Sequence, residues 1–158
     1  MLPFGGLFKM RAVVQRVKSA SVCVDNRVVG AINNGLLIYL GITTTDKEDD
    51  VCYIFDKSIG ARIFCDKEGQ MNIPFNKESD SVLVVSQFTL YGDLRKGRRP
   101  SFDEAAKSDD ALVLYKQFIK KCCDNNIKTE QGVFGAHMEV ESINDGPVTF
   151  LLDSKKIF

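Results

Sequence analysis

The sequence predicts a single-domain α/β fold in which layered mixed β-sheets carry two main helices on one face. Three observations lead there. Valine-rich and continuously apolar runs of strand character surround just two stretches of helical periodicity, in the order strands, helix, strand, helix, strands. A length of 158 residues favours one compact domain over two. With 44% hydrophobic and 27% charged residues, the chain can fill a core and still cover it with charge.

The elements follow in order. Residues 11–17 (RAVVQRV) and 20–25 (ASVCVD) alternate in short steps and read as strands. Asp25-Asn26 supplies a turn, and residues 28–32 return as a hairpin partner. Asn34-Gly35 turns again into GLLIYLGI, residues 35–42, an apolar run expected of a strand covered on both faces. Thr45 with Glu48 has the spacing of a capping box. Behind it Val51, Ile54, Phe55, Ser58, Ile59 and Arg62 recur at helical spacing, so residues 46–63 should form an amphipathic helix that ends before a turn at 66–69. Residues 82–88 (VLVVSQF) are a second buried strand, followed by a basic loop over 94–100. Ser108 caps a second helix with Leu112, Tyr115, Phe118, Ile119 and Cys122 on one side and Lys120 and Lys121 in its last turn. Two strands, 137–143 and 148–153, close the chain around a turn at 144–147, and the extra strands are expected to form a second layer.

Composition excludes several functions. Lysine plus arginine equals aspartate plus glutamate, 21 each, so an RNA partner would have to be held by a local basic patch. No run reaches the roughly 18 apolar residues of a membrane helix. Five cysteines, Cys23, Cys52, Cys65, Cys122 and Cys123, form no C-x-x-C pair and read as reduced thiols of a cytoplasmic protein. A single histidine, His137, cannot build a two-histidine zinc site, and no metal or cofactor is expected. Residues 1–9 are an apolar, glycine-rich extension before Met10 and the domain proper at 10–158. That extension reads as a disordered segment, an alternative start or an expression remnant, with organelle targeting as the other reading.

Pattern alone stops at an α/β domain of unknown use; three segments go further. SQFTLYGD (residues 86–93) ends a buried strand, where amides leave the ladder and can face an oxyanion, although the same residues could simply close a turn. FGAHMEV (134–140) could seat a base on its phenylalanine or belong to the core. NDGPVT (144–149) contains Gly146-Pro147, and an X–Pro bond is where a cis peptide is cheap, about 0.5–1 kcal/mol above trans. The plain alternative there is a turn. Arg95, Lys96, Arg98 and Arg99 surround Gly97 in a loop that is either a phosphate-binding patch or a solvated charge run.

Together with RAVVQRV and KGRRPSF (96–102), these motifs resemble the D-aminoacyl-tRNA deacylase family over residues 10–153, SQFTL and NDGPVT being specific in combination. The resemblance implies a homodimer that hydrolyses D-aminoacyl-tRNA, and glycyl-tRNA mischarged on tRNA(Ala), as chiral proofreading. It implies that Ser86, Gln87, Phe88 and Thr89 supply catalytic positioning and backbone amides. Gly146 and Pro147, propped by Arg16, would enter the partner's site and reject L-amino acids. Phe134, Gly135, Ala136 and Met138 would hold the terminal adenosine, and Arg95, Lys96, Arg98 and Arg99 the tRNA. Thr89 could be a nucleophile, but no activating base stands beside it in sequence, so assistance by the ribose 2′-hydroxyl is the favoured route. A nucleic-acid-binding dimer without the chemistry and a threonine-nucleophile esterase remain as alternatives.

Overall fold

The computed structural model describes residues 9–158. The expected extension therefore lies outside the described residues except for Lys9. That residue is already tied to the domain: its Nζ donates to the Thr45 carbonyl, and its own carbonyl accepts from the Tyr91 hydroxyl.

The chain runs β1 (Arg11–Val24), β2 (Arg27–Ile32), β3 (Gly35–Gly41), α1 (Glu48–Gly60), β4 (Phe64–Cys65), β5 (Met71–Ile73), β6 (Ser81–Ser86), a 3-10 turn (Phe88–Tyr91), α2 (Ser108–Asp124), β7 (Lys128–Gln131) and β8 (Glu139–Asp153). Six strands make one mixed sheet, with β2, β3 and β8 all antiparallel to β1, and with β3, β6 and β7 parallel. The pair β4–β5 is a separate ribbon.

Both helices cover one face, as expected. Val51, Ile54 and Phe55 of α1 and Ala111, Tyr115, Phe118 and Cys122 of α2 pack on Ala12, Val14, Leu36, Ile38, Val82 and Val84. The opposite residues of the same strands, Leu37, Leu83 and Val85, join a second cluster with Val17, Ala20, Val22 and Ile32. The sheet thus folds over itself, and the far half of β1 with β2 lies across the back of β3 and β6. Gly30 shows how close that layer is, since a Cβ there would stand 2.7 Å from the Gln131 carbonyl oxygen.

Several boundaries differ from the expected ones. The strands 11–17 and 20–25 are one continuous strand. The turn expected at 144–147 does not reverse the chain: β8 runs through it, with register shifts against β1 between Gln15 and Ser19. A proline is tolerated there because β8 pairs only with β1, so its other edge needs no amide. The first helix begins two residues late, at Glu48, because Asp46 turns back to accept the Thr43 amide while Asp50 caps the Lys47 amide. Ser108 is the first residue of α2, not its cap.

Candidate active site

The C-terminal ends of the parallel strands β3 and β6 open into a cleft of about 320 Å³, the usual place for a ligand in such a sheet. Leu40, Ile42 and Ser86 form its floor, Gln87 and Phe88 one wall, Ala105, Ala106, Ser108 and Ala111 another, and Phe134 and Gly135 the third. Strand parity explains the floor. Val82 and Val84 face the helices, so Ser86 continues on that face just where the helices no longer cover it.

The chain turns sharply at this point. The Gln87 amide makes the last strand-like bond, to the Leu40 carbonyl at 2.8 Å. The 3-10 turn then closes from the Leu90 amide back to the Gln87 carbonyl at 3.3 Å. The amides of Phe88 and Thr89 precede that first bond and have no acceptor within the turn. Of the two residues, Phe88 lines the cleft. Gln87 Nε2 donates to Thr89 Oγ1, which ties the two side chains together across the turn. Thr89 itself is exposed and does not line the cleft. The N-terminal, positive end of α2 faces the cleft through Ser108.

Phe134 enters from the loop between β7 and β8. It packs on Tyr115 with ring centroids 5.6 Å apart, and the Tyr115 hydroxyl donates to the Val84 carbonyl at 2.9 Å. The Phe134 ring is therefore held from behind by a residue locked to β6. Gly135 follows at φ +78°, a conformation that glycine adopts without strain. Ala136 closes this turn with its amide on the Val133 carbonyl. Met138 emerges on the other face, where it packs against the second core cluster and beneath Gly132, away from the cleft. His137 is exposed.

Gly146 and Pro147 are exposed, joined by a cis peptide, and outside the cleft of their own chain. Arg16 pairs with Leu36, four residues before Leu40 on β3, which sets this region about 13 Å along the strand from the cleft. The buried Arg16 guanidinium braces it: Nε donates to the Asp145 carbonyl at 3.2 Å and lies 3.3 Å from its carboxylate, while Nη1 donates to the Ile63 carbonyl at 2.7 Å.

The basic loop is held at its neck by two backbone bonds between Asp93 and Ser101. Arg95 folds back as a fork onto Asp93, with Nη2 2.7 Å and Nε 2.9 Å from its carboxylate, and this holds the Asp93 carboxyl down at about 2. Lys96, Arg98 and Arg99 are exposed and, among the described residues, carry no such latch.

A family profile described as D-Tyr-tRNA(Tyr) deacylase matches residues 13–153. The chain belongs to that family. This deacylase-family chain is therefore a hydrolase of ester bonds. It is similar, at 54% identity over 149 residues, to the D-aminoacyl-tRNA deacylase of Thermosipho africanus (strain TCF52B), with 94% of this chain and 100% of the relative covered. The protein of the same name from Clostridioides difficile (strain 630) is 54% identical with the same coverage. Among solved structures, the c-Myc DNA Unwinding Element Binding Protein superposes with a TM-score of 0.84 at 34% identity, over 90% of this chain and 97% of that one. A probable eukaryotic D-amino acid tRNA deacylase shares the fold, with a TM-score of 0.73 at 18% identity and coverage of 91% and 98%.

Within the deacylase-family fold, the cleft unites Ser86, Gln87 and Phe88 with Phe134 and Gly135, which lie far apart in sequence. Leu40, Ala105, Ala106 and Ser108 were not legible as site residues. The segment 101–106 has no periodicity, and it reaches the cleft because the Ala106 amide donates to the Ile42 carbonyl at 2.9 Å and the Thr43 hydroxyl donates to the Glu104 carbonyl. Phe102 is the other omission: it lies edge to face with Phe88, ring centroids 5.0 Å apart.

Proposed function

We propose that the protein hydrolyses the ester bond of D-aminoacyl-tRNA in the cytoplasm, and of glycyl-tRNA mischarged on tRNA(Ala), releasing free amino acid and tRNA. The observation that carries this reading is the meeting of the strand-end residues Ser86, Gln87 and Phe88 with the Phe134–Gly135 wall in one cleft. The terminal adenosine stacks on Phe134, which leaves the ester carbonyl near the Phe88 and Thr89 amides. Water attacks the carbonyl carbon, and the amides take up the charge of the tetrahedral oxyanion. The bond to the ribose oxygen then breaks, and that oxygen leaves with a proton. One such donor is worth about 2.7–4 kcal/mol in the transition state. The 2′-hydroxyl assists, because Thr89 meets only the Gln87 amide group and no base.

Chirality is judged by exclusion. The Gly146 and Pro147 carbonyls of a partner subunit stand where an L side chain would point, and glycine, having no side chain, passes. The Arg16 brace and the exposure of this dipeptide outside its own cleft support the reading. A homodimer follows, and the exposed Leu151 and Ile143 on β8 offer apolar surface for it.

The test is deacylation of D-, L- and glycyl-tRNA side by side. Turnover of the D and glycyl esters with the L ester spared is expected; an intact D-aminoacyl-tRNA overturns the reading. Thr89→Ala separates the two routes. A loss below about tenfold, with a greater loss for a 2′-deoxy ester, supports substrate assistance, whereas loss of about a hundredfold or more makes Thr89 the nucleophile. The likeness to a protein titled as binding a DNA unwinding element favours a second reading, duplex DNA binding beside the hydrolysis, which salt-sensitive retention of duplex DNA would support and its absence would remove.

A further inference from the structure

On the deacylase reading the cleft takes one base and one ester, but an aromatic pair at its edge, exposed Phe88 backed by half-buried Phe102, and a set of unlatched cations beside it are left over. Phe88 lines the cleft and keeps 59% of its surface exposed in the single chain, a high value for a phenylalanine. Its partner Phe102, half-buried, meets it at 68°, edge to face, so Phe102 backs Phe88 while Phe88 keeps open ring surface. Phe102 is also the first residue beyond the neck of the basic loop, and a Cβ on Gly92 would stand 3.2 Å from its ring, which fixes its position. The loop hence sets three free cations, Lys96, Arg98 and Arg99, on the same support as the aromatic pair, while Arg95 is occupied by Asp93.

Open aromatic faces beside a cationic track are the chemistry of single-stranded nucleic acid, in which unpaired bases stack and phosphates meet lysine and arginine. We propose that the Phe88–Phe102 pair seats an unpaired base one or two nucleotides before the esterified adenosine, with Lys96, Arg98 and Arg99 on the phosphates of that segment. This rests on the deacylase reading and extends it outward from the ester. It assigns Phe88 a second use, its amide facing the reaction and its ring facing the incoming strand. Paired RNA does not satisfy the site, because a base inside a helix has no free face.

The experiment compares a D-aminoacyl ester of adenosine with the same ester on a trinucleotide ending in adenosine, for wild type, Phe102→Leu and Phe102→Tyr, each checked by thermal melting. Lengthening the substrate should lower KM in the wild type. Phe102→Leu should erase about tenfold of that gain with kcat on the long ester little changed, and Phe102→Tyr should retain it. An undiminished gain in Phe102→Leu overturns the proposal. So does a loss that follows the aromatic character of the amino acid on the short ester, since the rings would then hold the amino-acid side chain. Should the wild type cleave neither ester, the deacylase reading fails by itself. Affinity for the unesterified trinucleotide then decides the seat: weakening by about tenfold in Phe102→Leu upholds it, and equal affinities remove it.

Discussion

Asp46 stands just ahead of α1 with one carboxylate oxygen on the Thr43 amide and the other without a partner. Burial first, and then the nearby charge of Asp50, pushes its carboxyl up to about 7. A carboxyl raised in the folded state binds its proton more tightly there than in the unfolded chain. Its contribution to stability is complete below the ordinary carboxylate range and is lost as pH rises towards about 7. Asp46→Asn keeps an acceptor for Thr43 and removes the charge, so the variant should gain melting temperature over wild type at about pH 8 and little at about pH 5. Equal shifts at both values would refute this. No sequence pattern marks Asp46, because its protonation depends on what folds over it. Phe134 and Met138 make the same point. Both belong to one motif, but the turn at Gly135 sends them to opposite faces of the sheet.

At the scale of elements, the parallel pairing of β3 with β6 positions Ser86 and thereby the whole turn that follows. It depends on Gly35, whose φ is +154° and where a Cβ would lie 1.8 Å from the Ser81 carbonyl oxygen. That obstacle is backbone and cannot swing aside. Gly35→Ala should cost about 3 kcal/mol, and thermal melting should fall by about 10 °C; a fall of under about 3 °C would show that the strands can part cheaply. The long apolar run of β3, the valines of β6 and both helical periodicities were readable because burial on one or two faces writes itself into residue type. β7 was not, since KTEQ is a mostly exposed and polar edge strand. β8 was misread as two strands because its turn residues sit where pairing to β1 continues on both sides and absorbs them as an irregularity.

For the whole molecule, balanced charge means that long-range attraction contributes little to RNA capture, so in the proposed reading the loop at 94–100 acts at close range. The proposed cross-subunit arrangement would make selectivity depend on concentration. Sedimentation should give a dimer, and dilution until monomer dominates should abolish discrimination between D and L esters, whereas a fully selective monomer would contradict the cross-subunit arrangement. The fold class, the two helices and their buried faces, the buried strands and the family motifs are all legible along the chain, because each is a local pattern of polarity or a fixed run of residues. It took the folded chain to show that Ser86, Phe88 and Phe134 share one cleft, that Met138 does not, that Phe102 stands against Phe88, and that Gly146 and Pro147 lie at a distance from their own cleft. Those relations come from the crossing of β3 to β6 and the folding of one sheet over itself, which bring together residues that no spacing along the chain connects.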